Sequence, residues 1–172
     1  MVAVHLGRGG LFQLVRVDGA DHRLAVVFVE TGPLQHVGLQ AHALRNAQEN
    51  KDELSKGIVD QFMASPEYQA AKTVLFYVDV RSEVRTRHSL PAALASGKTI
   101  VIPWCTESVE LALFKLVSMD ELAVGMYKIL EPKAELRLLP EKQVEPKDID
   151  LVMVPGVAFD RRGPRMGHGK GY

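Results

Sequence analysis

The chain has 172 residues, 47% hydrophobic and 24% charged, with 21 Lys and Arg against 21 Asp and Glu. That length makes one domain with a real core the default, and the balanced charge gives no electrostatic reason for nucleic acid or a membrane surface as the main partner. A single cysteine, Cys105, excludes an internal disulfide framework. No apolar run reaches the length of a membrane span, and the N-terminus lacks the basic-then-apolar order of a signal peptide. The expectation is therefore a cytoplasmic protein, with a small-molecule site of local charge left open.

In chain order, Leu11 to Val17 and Leu24 to Val29 are strand-like, and Asp18-Gly19 between them suits a hairpin turn. Thr31-Gly32-Pro33 breaks the pattern. Asn50 is placed to cap a helix, with Glu53 completing a capping box. Leu54, Ile58, Val59, Phe62 and Met63 recur at helical spacing and form one apolar face, read as core. Ser65-Pro66 ends that helix. Thr73 to Val80 is a β-branched and aromatic run that reads as a central strand. Arg81-Ser82-Glu83-Val84-Arg85-Thr86 follows directly, where ligands bind in open α/β folds. Glu83 reads either as a substrate contact or as an exposed acid paired with Arg81 or Arg85.

Ser89 and Pro91 start a helix that Gly97 ends. Thr99 to Ile102 is the next strand, closed by Pro103, so the run is a βαβ unit with parallel strands. Cys105 reads as a semi-buried structural thiol, since no base is evident beside it. Glu110 to Val117 is a further strand, and Ala134 to Lys147 is a polar, proline-punctuated connector. None of the six histidines, His5, His22, His36, His42, His88 and His168, sits in a metal-ligating spacing.

Ile149 to Val154 reads as a buried strand broken by Pro155-Gly156. The segment after it holds Gly163, Gly167, Gly169 and Gly171, with Arg165 and Lys170 between them. Glycines let backbone N–H groups approach an anion and the cations supply charge, so a phosphate is the natural guest. A flexible surface loop is the alternative. A Walker A loop is excluded, because its first glycine falls on Pro164 and Gly171 offers no hydroxyl. A dinucleotide fingerprint is excluded because the loop lies too far beyond its strand.

Val154-Pro155-Gly156-Val157-Ala158-Phe159-Asp160, followed by Arg165-Met166-Gly167-His168-Gly169-Lys170-Gly171-Tyr172, resembles the signature of the 5-formyltetrahydrofolate cyclo-ligases (5,10-methenyltetrahydrofolate synthetases). Ser65-Pro66-Glu67-Tyr68, Glu83-Val84-Arg85-Thr86 and Gly125-Met126-Tyr127-Lys128-Ile129-Leu130-Glu131-Pro132 also resemble segments of that family. The likeness covers roughly residues 39–172 and leaves 1–38 as an atypical extension with a possible hairpin. It implies a three-layer α/β/α domain with a mostly parallel sheet, like the sugar-isomerase/CoA-transferase group.

The resemblance further implies conversion of 5-formyltetrahydrofolate and ATP to 5,10-methenyltetrahydrofolate, ADP and phosphate. Phosphorylating the formyl oxygen makes it a leaving group, N10 then attacks, and phosphate departs. Such a protein mainly positions reactants and stabilises charge on the phosphoryl group. By the same resemblance Arg165 and Lys170 are the catalytic cations, and residues Arg165 to Tyr172 (Met166, Gly167, His168, Gly169 and Gly171 among them) cradle ATP. Glu83 contacts the pterin, Val78 lines the substrate pocket, and Mg2+ bridges the phosphates. The aromatic neighbourhood of Trp104 and Tyr127 suits either a flat pterin ring or ordinary packing. A monomer is expected.

Three departures from the family pattern accompany these matches. Positions Leu34 to Gly38 hold no Lys or Arg where the family has a basic pair, the Tyr-Asp that follows Tyr172 in the family is absent, and so are the next strand and helix. The expectation is a truncated or altered member with reduced or no ligase activity. A nucleotide- or folate-binding module that has lost turnover is the competing reading, separated from the enzyme by phosphate release. A sugar-phosphate isomerase or CoA-transferase relative would need no ATP.

Overall fold

The computed structural model describes residues 12–18, 23–29, 46–47, 49–108, 110–125, 128–156, 158–159 and 165–166. The elements, in chain order, begin with β1 (Phe12–Asp18), β2 (Arg23–Val29), α1 (Lys51–Ala64), α2 (Pro66–Ala70), β3 (Thr73–Leu75), α3 (Leu90–Ala95) and β4 (Thr99–Cys105). They continue with β5 (Leu111–Leu116), β6 (Leu122–Val124), β7 (Leu130–Pro132), β8 (Leu151–Met153), β9 (Ala158–Phe159) and β10 (Arg165–Met166). Six strands form one sheet in the order β1-β2-β8-β3-β4-β5.

The inner pairings of this sheet are parallel. Val74 of β3 is opposite Ile100 of β4 on one side and Leu151 of β8 on the other. Val74, Ile100, Val101, Ile102 and Leu151 are all buried, as expected of parallel strands covered on both faces, which read as unbroken apolar runs. The β3–α3–β4 unit is the parallel pair that the sequence predicts. The outer pairings are antiparallel: β5 on β4, with Ile102 opposite Phe114, and β1 on β2, with Val15 opposite Val26. β2 in turn lies parallel to β8, Val26 opposite Val152, so the hairpin strands extend the central sheet.

The core gathers beneath β3. Phe62 of α1 meets Tyr68 and Phe76 edge-on, with ring centroids 5.3 and 5.4 Å apart. Ile58, Val59 and Phe62 face inward as their helical spacing requires, but Leu54 is 42% exposed and Ser55 takes the inward position instead. Ser55 lies at i−3, i−4 and i−7 from those three residues, at the centre of the stripe. Asn50 precedes α1 without a side-chain capping bond, so the capping box is not formed. Ser65 does not simply end α1. It caps α2, its hydroxyl accepting the Tyr68 N–H at 3.2 Å.

Other predicted elements change extent. The strand expected over Thr73 to Val80 keeps ladder geometry only to Leu75, because Tyr77 and Asp79 are drawn into hydrogen bonds with the following loop. The strand expected to close at Pro103 continues through it to Cys105, with β5 alongside. Cys105, expected to be semi-buried, is exposed at that strand's end. Met119–Glu121 is a short 3-10 turn, and β6 and β7 pair antiparallel as a separate two-stranded sheet.

The connector over Ala134 to Lys147 is structured by three single 3-10 turns. It delivers Lys142, which is only 8% exposed, to the Glu121 carboxylate. The same ammonium lies 5.3 Å from the centre of the Phe114 ring. Burial pushes the Glu121 carboxyl up, but hydrogen bonds from Lys142 and the Val117 N–H, together with the Lys142 charge, outweigh it. The group is held below its ordinary value of 4.5. A carboxyl lowered in the folded state stabilises fully above the unfolded value, and that contribution is lost as pH falls through the folded value. Thermal melts of Glu121→Gln are thus expected to be less stable than wild type at neutral pH and to lose less stability between neutral pH and the acid side of 4.5. A variant with the wild-type acid slope would contradict this.

Candidate functional site

β3 and β8 are adjacent and parallel, with Leu75 opposite Val152, so their carboxyl ends open on the same edge of the sheet. From β3 the chain enters the segment 76–87, which carries Val78 and Glu83. From β8 it enters Val154-Pro155-Gly156 and then β9 and β10. Segment 76–87 and the Val154-Pro155-Gly156 segment therefore leave neighbouring strands.

The β3 segment is tied down at several points. Arg81 adopts φ +57°, a left-handed turn residue, and Glu83 closes the turn. The Glu83 N–H donates to the Val80 carbonyl at 3.2 Å, and its carboxylate accepts the Val80 N–H at 3.0 Å. Glu83 and Val78 are both half-buried. The Tyr77 hydroxyl donates to the Val84 carbonyl at 2.8 Å, and the buried Thr86 hydroxyl donates to the Tyr77 carbonyl at 2.6 Å. The Arg85 N–H donates to Ser55 of α1 at 3.0 Å, and the Arg85 guanidinium pairs with Asp52 on the same helix. The pairing of Arg85 with Glu83, one alternative in the sequence, thus gives way to Arg85 with Asp52.

At the base of this segment sits Asp79, its side chain 1% exposed. It accepts the Arg87 backbone N–H at 2.9 Å and the Arg87 Nε–H at 3.1 Å. Sequence reasoning missed it. The available signal was an acid inside an otherwise apolar strand-like run, since a buried carboxylate needs a cationic or N–H partner nearby.

The phosphate-loop candidates divide. Arg165 and Met166 form β10, paired antiparallel with β9, Arg165 opposite Phe159 and Met166 opposite Ala158. This stretch is a short ribbon, where a continuous loop was predicted. Gly167, His168, Gly169, Lys170, Gly171 and Tyr172 lie outside the described residues, as does Tyr127. Trp104 is described, and the Arg137 guanidinium covers one face of its ring, 4.7 Å from the centroid. Arg137 is fixed there by Glu131 at 3.1 Å and the Pro132 carbonyl at 2.8 Å. That arrangement is packing, the second of the two alternatives for Trp104. A Cβ at Gly125 would lie 2.5 Å from a Glu131 carboxylate oxygen, so a larger residue there would push the Glu131 side chain from its place.

Among the described residues no group of three or more His, Cys, Asp or Glu side chains could hold a metal ion, and no helix is long and apolar enough to cross a membrane.

A mixed α/β domain with a mostly parallel sheet, and two loops at the carboxyl ends of its adjacent central strands, is the class of protein this geometry defines. Residues 38–172 match the 5-formyltetrahydrofolate cyclo-ligase family, and the chain belongs to that family. A probable 5-formyltetrahydrofolate cyclo-ligase of Schizosaccharomyces pombe is 36% identical over 123 residues, covering 70% of this chain and 59% of the relative. The 5-formyltetrahydrofolate cyclo-ligase of Saccharomyces cerevisiae is 36% identical over 103 residues, covering 54% and 49%. The chain thus spans about half to three-fifths of the length of these relatives. Among solved structures, the Aquifex aeolicus 5,10-methenyltetrahydrofolate synthetase superposes with a TM-score of 0.66 at 31% identity, over 77% of this chain and 66% of that one. A Mycoplasma pneumoniae 5,10-methenyltetrahydrofolate synthetase shares the fold, with a TM-score of 0.54 at 21% identity over 77% and 70%.

Proposed function

We propose that this chain converts 5-formyltetrahydrofolate and ATP to 5,10-methenyltetrahydrofolate, ADP and phosphate. The observation that carries the reading is that the Glu83 segment and the Val154-Pro155-Gly156 segment, which precedes the glycine-rich stretch in sequence, leave adjacent parallel strands, Leu75 beside Val152. A pterin held by the first segment would lie beside a nucleotide held by the second, as phosphoryl transfer between them requires. The formyl oxygen takes the γ-phosphoryl group, and N10 then attacks the activated carbon and expels phosphate.

In this reading Glu83 and Val78 contact the folate, Arg165 and Lys170 offset charge on the phosphoryl group, and Met166 to Tyr172 line the nucleotide. Any Mg2+ would arrive with ATP, and no step depends on a protein-held ion. The domain, spanning residues 39–172 with 1–38 as an addition, is of the three-layer sugar-isomerase/CoA-transferase kind, and acts as a monomer in the cytoplasm.

The test follows the methenyl product spectrophotometrically, with and without ATP and Mg2+. ATP-dependent product that falls about 10- to 100-fold in Glu83→Ala, through a raised KM for the folate, is the expected result. No product and no folate binding by the wild-type chain would overturn the proposal.

A further inference from the structure

Asp79 is a carboxylate placed where an apolar side chain would be expected. Phe76 and Tyr77 before it are buried, and its own side chain is 1% exposed. Removing a carboxylate from water is costly unless charge and hydrogen bonds replace the water. Here the replacements all come from the far end of one loop. Oδ1 accepts the Arg87 N–H at 2.9 Å, Oδ2 accepts the Arg87 Nε–H at 3.1 Å, and the Thr86 hydroxyl lies 3.4 Å from Oδ1 while donating to the Tyr77 carbonyl at 2.6 Å. Residues 77–79 and 86–87 are thereby drawn together, and Val80 to Arg85 form the crown. Glu83 sits on that crown, linked in both directions to Val80, the residue next to Asp79.

We propose that Asp79 is a positioning residue. Its carboxylate, clamped by Arg87, sets the loop on which Val78 and Glu83 meet the folate, and so fixes folate affinity without touching the nucleotide. The inference rests on the function proposed above. Arg87 is the accessible half of the clamp, its side chain 44% exposed, so it can be altered without opening the core.

The experiment is calorimetric titration of the full chain with 5-formyltetrahydrofolate and, separately, with ATP. Wild type is compared with Asp79→Asn, Arg87→Ala and Arg87→Lys, with folate KM and kcat measured alongside. Asp79→Asn and Arg87→Ala are expected to weaken folate binding about 10- to 100-fold, with ATP affinity unchanged and KM rising more than kcat falls. Arg87→Lys, which keeps the charge, should recover part of the loss. Unchanged folate affinity with a lowered melting temperature would reduce the clamp to a purely structural role and overturn the inference. Equal loss of folate and ATP binding would do the same. Wild type that turns over while every variant matches it overturns this inference alone. Wild type that binds no folate overturns both this inference and the function it rests on. If Asp79→Asn does not fold, the two Arg87 variants decide.

Discussion

Replacing Lys170 by alanine is expected to reduce ATP-dependent formation of the methenyl product by about 10²- to 10³-fold, the loss typical of removing one group that stabilises charge developing in a transition state. The physical case begins with the transferred phosphoryl group, whose oxygens carry charge that the protein must offset where it replaces water. Glycine amides supply partial charges, and a cation is needed for the remainder. Lys170 is flanked by Gly169 and Gly171, so its backbone is free to bring the ammonium close. Lys170→Arg should retain more activity than Lys170→Ala, because the charge survives while the geometry changes. Affinity for 5-formyltetrahydrofolate should stay at the wild-type level in both, because Lys170 is proposed to meet the nucleotide and not the folate. A Lys170→Ala chain with full kcat would remove Lys170 from the phosphate site, and one that lost folate and ATP binding together would show misfolding.

The second large effect concerns stability. Phe62→Ala is expected to cost about 3–5 kcal/mol, from lost transfer free energy and a cavity that close packing does not refill. Phe62 is fully buried and its ring meets Tyr68 and Phe76 edge-on, an arrangement that adds to area burial. In a chain of this size that corresponds to a melting temperature lower by roughly 10 °C. Thermal unfolding followed by circular dichroism measures it. Phe62→Leu, which keeps most of the volume, should lose much less. A Phe62→Ala chain that melts with wild type would mean this aromatic cluster does not carry the core. Phe76 leads directly into Tyr77 and the Asp79 clamp, so the same cavity should also loosen the Glu83 segment.

Much of the architecture was legible before any coordinates. Thr99 to Ile102 forms the first part of β4, and β8 lies inside the largely apolar Ile149 to Val154 run. The Ser89-Pro91 start and Gly97, at φ +79°, bracket α3 as their chemistry demands. The family motifs single out Glu83 and the glycine-rich segment as candidates, because recognition chemistry is carried by particular residue types at particular spacings.

Other features could not be read that way, for reasons that are physical. Leu54 and Ser55 are adjacent, and hydropathy ranks Leu54 as core. The Arg85 N–H, 30 residues away, makes the inward Ser55 hydroxyl useful. Asp79 reads as a defect in a strand until Arg87 folds back onto it. The Ala134 to Lys147 connector reads as solvated until Lys142 finds Glu121. Each depends on a partner 8 to 30 residues away that only the folded chain brings into contact, and hydropathy periodicity does not identify that partner.

Local periodicity, breaker residues and motif chemistry thus carried the α/β class, the central strands and the two segments proposed to bear the site, since these depend on neighbours a few positions apart. Strand order did not follow from them. The seating of β2 against β8, Val26 opposite Val152, and the placing of the β3 and β8 ends side by side, Leu75 opposite Val152, arise only when strands far apart in the chain share hydrogen bonds and bury their faces together.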